Sequence, residues 1–180
     1  MTLLAPTDDR GEQLIRWGAS YGPLIFQGQW WRLFTAMFVH VGIFHLLVNM
    51  WCLWNLGRLA EWQLGRVGLV LIYLGTGVGG GLASLLWHPN IVSAGASGAI
   101  FGIAGALISA FRMGAVSVPG QDLKRYLSSL MPFVLYNLLL GAVISFIDNA
   151  AHIGGLVTGL AFGAVLARRR QLARWQQPDS

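Results

Sequence analysis

Long apolar runs, separated by short clusters of Arg and Lys, restrict this chain to few folds. About 20 apolar residues suffice for a helix to cross a bilayer. Charged residues make up 11% of the 180-residue chain, against about 25% in an ordinary soluble domain. The mean hydropathy is +0.59. These values describe a one-domain polytopic membrane protein. The net charge of +5 does not point to nucleic acid, because the basic residues stand at the ends of apolar runs and form no stripe or base-reading motif. The single Cys52 excludes an internal disulfide and a Cys-rich metal site. The first residues lack the basic start, short apolar run and small-residue cleavage site of a signal peptide.

The sequence predicts an all-α bundle with five spans. They run from about Phe44 to Leu59, Val67 to Trp87, Ser97 to Phe111, Leu127 to Ile147 and Ala150 to Ala167. His88-Pro89-Asn90 ends the second with a turn. Upstream, Asp8, Asp9, Arg10, Glu12 and Arg16 interrupt a mixed segment, and Trp30-Trp31-Arg32 forms an interfacial cluster. The stretch from Leu33 toward His40 and Gly42 reads as interfacial or re-entrant. Residues 1–43 are therefore expected to be an N-terminal segment and interfacial loop, 44–167 a transmembrane domain, and 168–180 a basic tail. Arg58 and Arg66 follow the first span; Arg112, Lys124 and Arg125 follow the third; Arg168, Arg169, Arg170 and Arg174 follow the fifth. The alternate loops carry no Lys or Arg, so the positive-inside rule puts these clusters and the C-terminus in the cytoplasm.

Spans three and five then run in the same direction, and rise per residue measures depth. Ser97 lies roughly 22 Å above Arg112, and His152 roughly 24 Å above Arg168. A hydroxyl and an imidazole at matched depth form a nucleophile–base pair if their helices touch. Gly98 and Gly102 in span three, and Gly155, Gly159 and Gly163 in span five, are small-residue stripes that allow such contact. His45 and Asn49, four residues apart, project from one helical face. Together with the Ser97 N–H at a helix start, they could donate to an oxyanion.

Gly95-Ala96-Ser97-Gly98 resembles the Gly-x-Ser-Gly signature of rhomboid proteases. Ala151-His152, followed by Gly155 and Gly159, resembles the family's catalytic-histidine helix, and His40, His45 and Asn49 fit its His-x-x-x-x-His-x-x-x-Asn pattern. Trp31-Arg32 matches its Trp-Arg pair, so the likeness extends from about Trp30 to Gly163. The resemblance implies an intramembrane serine endopeptidase acting on transmembrane or membrane-anchored proteins. Ser97 and His152 would be the dyad, His45, Asn49 and Ser97 the oxyanion donors, and Gly95, Gly98, Phe101 and His40 supporting residues. It calls for no metal and no cofactor. Phe101 stands where the family often has a Tyr stacked on the histidine. Family members generally have six core spans against five here. The expectation is an upstream helix in the natural product and a groove beside the His45 helix.

Bland readings stand beside these. His40, His45 and His152 could ligate a metal, but no carboxylate or Cys joins them, and Ser97 would have no role. Asp148 is four residues before His152 and reads, like Asn149, as a helix cap rather than a triad acid. Glu61 reads as a local partner of Arg58 or Arg66. A rhomboid-like pseudoprotease that binds helices without cutting would be expected to have lost Ser97 or His152. A transporter would be expected to show an inverted repeat and a mid-span acid. The expected setting is a multi-pass protein of a bacterial cell membrane, with lipid and transmembrane substrates as partners, no nucleic acid, and an oligomeric state on which the sequence is silent.

Overall fold

The computed structural model describes residues 1–4, 9–114, 120–143 and 147–175. In chain order the elements are β1 (Thr2–Leu4), α1 (Asp9–Arg16), α2 (Gly22–Phe26), α3 (Arg32–Thr35), α4 (Ile43–Trp87), β2 (Val92–Ala94), α5 (Ser97–Arg112), α6 (Gly120–Val143) and α7 (Asn149–Trp175). Among the described residues two helices, Ile43–Trp87 and the Asn149–Arg169 part of α7, are long and apolar enough to cross a membrane. Ser97–Arg112 is a shorter apolar helix, rising about 24 Å.

α4 is two helices joined at a break. Gly65 has φ 81° and ψ 164°, a backbone shape that costs a side chain strain but suits Gly. The chain folds back there, so that Leu69 lies against Gly57. The first helix runs past Leu59, the end expected from the sequence, as far as Gly65. It continues because neither Arg58 nor Glu61 is forced inward. The Arg58 guanidinium lies 5.3 Å from the Trp54 ring centroid, and Glu61 accepts from Arg66 Nε at 2.8 Å.

α5 is the centre of the molecule, with nearly every position from Gly98 to Phe111 buried. A helix apolar all round must be covered all round, and α4 and α7 provide its main contacts. The α5–α7 seam explains the glycine stripes. A Cβ at Gly155, Gly159 or Gly163 would lie 2.0, 2.0 or 2.4 Å from the carbonyl oxygen of Gly98, Gly102 or Ala106 respectively. The two backbones approach within a distance that only hydrogen at Cα permits.

Two further features depart from the sequence reading. β1 and β2 pair antiparallel, with Thr2 opposite Ala94 and Leu4 opposite Val92. Strands of three residues carry no readable alternation. Arg32 is not an exposed interfacial charge but 6% exposed. Its Nη1 donates to the carbonyls of Ile15 (2.8 Å) and Ala19 (3.0 Å), and its Nε to Gln29 Oε1 (2.7 Å). The guanidinium also lies 4.6 Å from the Trp31 ring centroid. One side chain thereby ties the α1–α2 segment to α3. Trp30, Trp31, Phe34 and Phe38 remain exposed around it.

Candidate active site

α5 begins at Ser97, so the Ser97 N–H lies in the first turn, where intrahelical acceptors are missing. β2 leads into this turn through Gly95, whose φ is 128°. A Cβ there would meet His45 Cε1 at 2.7 Å, so Gly95 serves both the turn and the seat of the His45 ring. Gly98 lets α5 approach the start of α7, where an added Cβ would be 3.3 Å from the Ala151 carbonyl oxygen.

The seam brings Ser97 and His152 together, with Ser97 Oγ 2.8 Å from His152 Nε2. The Phe101 ring stacks on the imidazole, centroids 4.3 Å apart and planes 6° apart. Stacking needs only a ring, which Phe supplies as well as Tyr. His152 is 4% exposed, and its Nδ1 has no hydrogen-bond partner among the described residues. The Met1 nitrogen lies 3.3 Å from the same Nε2.

His45, Asn49, Ser97, Phe101 and His152 line one cavity of about 510 Å³, together with Met1 and Thr2. Phe44, Val48 and Cys52 from α4, and Asn137 and Leu140 from α6, also line it. Phe44, Leu47 and Trp51 of the His45 helix are exposed. Asn49 is buried and donates one amide hydrogen to the His45 carbonyl at 2.9 Å, which leaves its second free to point elsewhere. His40 does not line the cavity. It packs edge-on against His45, ring centroids 5.3 Å apart, and its Nδ1 donates to the Phe38 carbonyl at 3.2 Å. Burial pushes the His40 pKa below the usual histidine range. Among the described residues no group of three or more His, Cys, Asp or Glu side chains is arranged to hold a metal ion.

Residues 27–169 match the Rhomboid domain family. The chain belongs to the rhomboid family. Rhomboid proteins are integral membrane proteins. "Rhomboid protease GluP" of Bacillus subtilis (strain 168) is 41% identical over 86% of this chain and 30% of its own length. "RHOMBOID-like protein 6, mitochondrial" of Arabidopsis thaliana is 36% identical over 97% of this chain and 55% of its own. "Rhomboid protease AarA" of Providencia stuartii is 32% identical over 86% of this chain and 62% of its own. The chain therefore spans less than two thirds of these rhomboid relatives. The match begins near the Trp30 cluster, as the motif resemblance does, and ends within the C-terminal Arg run, beyond Gly163 where that resemblance stops.

Sequence reasoning missed part of what surrounds Ser97 and His152. Asp148 is fully buried and caps α7, its Oδ1 accepting from the Ala151 N–H at 3.0 Å. That it also collects the Ser84 and Ser93 hydroxyls had no signal in sequence, since serines in apolar runs usually read as packing residues. Asn149 donates instead to the Leu138 carbonyl at 3.0 Å, linking α7 to α6.

Proposed function

We propose that this chain is an intramembrane serine endopeptidase that cuts transmembrane or membrane-anchored proteins through a Ser97–His152 dyad. The observation that carries it is the part-buried 2.8 Å contact between Ser97 Oγ and His152 Nε2, in a rhomboid chain whose relatives include named rhomboid proteases. His152 Nε2 takes the hydroxyl proton as Ser97 Oγ attacks the scissile carbonyl carbon. The oxyanion forms at the head of α5, where the Ser97 N–H, the helix dipole, His45 and Asn49 can meet it. His152 then protonates the leaving amine, and water hydrolyses the acyl ester by the reverse transfers. Asp148 is not a third member of the relay, because its oxygens accept from Ser84, Ser93 and Ala151.

In this reading residues 44–167 form the catalytic domain and cross the bilayer five times. The two halves of α4, then α5, α6 and α7, make the crossings. Residues 1–43 lie on the outer side and 168–180 in the cytoplasm of a bacterial cell. A helix-binding pseudoprotease is the alternative, and the retained, touching dyad favours the enzyme.

A fluorophosphonate probe should label Ser97 of the full chain in detergent. The chain should also cut a transmembrane reporter, at the same rate with and without a chelator. Absence of both labelling and cleavage would favour the pseudoprotease, and zinc-restored cleavage after chelation a metal site. His45→Ala or Asn49→Ala should lower kcat about 10²–10³-fold while raising KM far less. Unchanged kcat with weaker substrate binding would remove both residues from the oxyanion role.

A further inference from the structure

Asp148 is 0% exposed, and a buried carboxylate is costly unless hydrogen-bonded. Three donors from three elements meet this one. The Ala151 N–H, in the first turn of α7, reaches Oδ1 at 3.0 Å. The Ser84 hydroxyl, near the end of α4, reaches Oδ2 at 2.6 Å, and the Ser93 hydroxyl of β2 reaches it at 2.5 Å. The dyad chemistry uses none of these bonds.

The glycine seam explains why such a group is needed. Its glycines recur every fourth residue on α7 and face carbonyls every fourth residue on α5. The seam fixes how closely the helices approach. It fixes their axial position poorly, because sliding α7 by about 6 Å presents the next glycine to the same carbonyl. A slide of that size would separate Ser97 from His152. The Ser93–Asp148 bond supplies the missing reference. It joins residues 55 apart in sequence, the same separation as Ser97 and His152, and lies four residues earlier on both strands of the chain. Ser93 is itself anchored, since its N–H and carbonyl both bond to Ser20 at 2.9 Å. Asp148 and His152 are one helical turn apart, joined by the 3.1 Å bond from the His152 N–H to the Asp148 carbonyl.

We propose that Asp148 is a positioning residue that sets the axial register of α7 against β2, and through it the Ser97–His152 distance. The inference rests on the protease reading. Its test measures the rate of fluorophosphonate labelling at Ser97 in the full chain, below the thermal transition of each variant. Asp148→Ala should slow labelling by about 10²-fold, the scale of a 1 Å misplacement, and lower kcat with KM near wild type. Asp148→Asn should recover most of the rate, because Oδ1 keeps the cap and the amide donates to hydroxyls that turn to accept. Ser93→Ala, which cuts the link to β2, should slow labelling about tenfold. Ser84→Ala removes an equally short bond to α4 and should stay within about twofold. Wild-type labelling of Asp148→Ala, or equal slowing in Ser84→Ala and Ser93→Ala, would overturn the register role. If Asp148→Ala does not fold, the two serine variants decide alone. An unlabelled wild type would overturn the protease reading and this role with it. A labelled wild type with an unaffected Ser93→Ala variant would overturn the register role only.

Discussion

Ser97→Ala and His152→Ala are each expected to lower kcat for a transmembrane reporter by roughly 10⁴–10⁶-fold, as in dyads and triads whose members act as a unit. The double variant should be little worse than either single one, because removing either partner already ends nucleophilic attack. Both variants should fold. The Ser97 hydroxyl is a small group at a helix start. His152→Ala loses the ring stacked on Phe101 but keeps the glycine seam, so its thermal midpoint should fall by a few degrees rather than collapse. Reporter cleavage at a tenth of the wild-type rate or more by either variant would remove that residue from the chemistry.

The second large effect is on stability. Gly155→Val and Gly159→Val should each destabilise the chain by about 3 kcal/mol or more, beyond the usual range for overpacking. Each new Cβ would fall on a backbone carbonyl, of Gly98 and Gly102 respectively, and backbone cannot rotate away as a side chain can. For a chain of this length that corresponds to roughly 6–12 °C in Tm. Gly57→Ala is the contrasting case. Its Cβ would meet Leu53 at 3.5 Å, an ordinary contact, and Ala favours a helix over Gly by about 1 kcal/mol. That variant should be neutral or slightly more stable. Differential scanning fluorimetry of the three in one detergent would check the order. A Gly159→Val chain as stable as Gly57→Ala would show that the helices are not so closely apposed.

The helices were legible because long apolar runs and helical structure go together in such a chain. The contact of Ser97 with His152 was legible for a different reason. Depth could be counted from the basic residues, and the glycines marked which faces could touch. What sequence did not show was structure that depends on single, non-periodic contacts. Gly65 was one glycine among many, and only its φ distinguishes it as the break in α4. The β1–β2 ribbon is too short to carry a pattern. Arg32 was read as an interfacial cation because charge rules treat every guanidinium as solvated. Its five donors can equally be satisfied by carbonyls in a folded loop. Asp148 was recognisable as a cap from its place before α7, while its serine partners are more than 50 residues away in sequence.

The reversal at Gly65 limits how a substrate could reach Ser97. One extended residue leaves no slack between the two halves of α4, so their ends at the turn are stapled together. A foreign helix cannot be threaded between them from that side without breaking the hairpin. Among the described residues no such turn joins the first half of α4 to α6; between them the cavity wall is made of Phe44, Val48, Cys52, Asn137 and Leu140. Under the proposed function, this is the side from which a membrane-embedded polypeptide would be admitted, and the hairpin, whose first half is one wall of that doorway, serves as its fixed jamb.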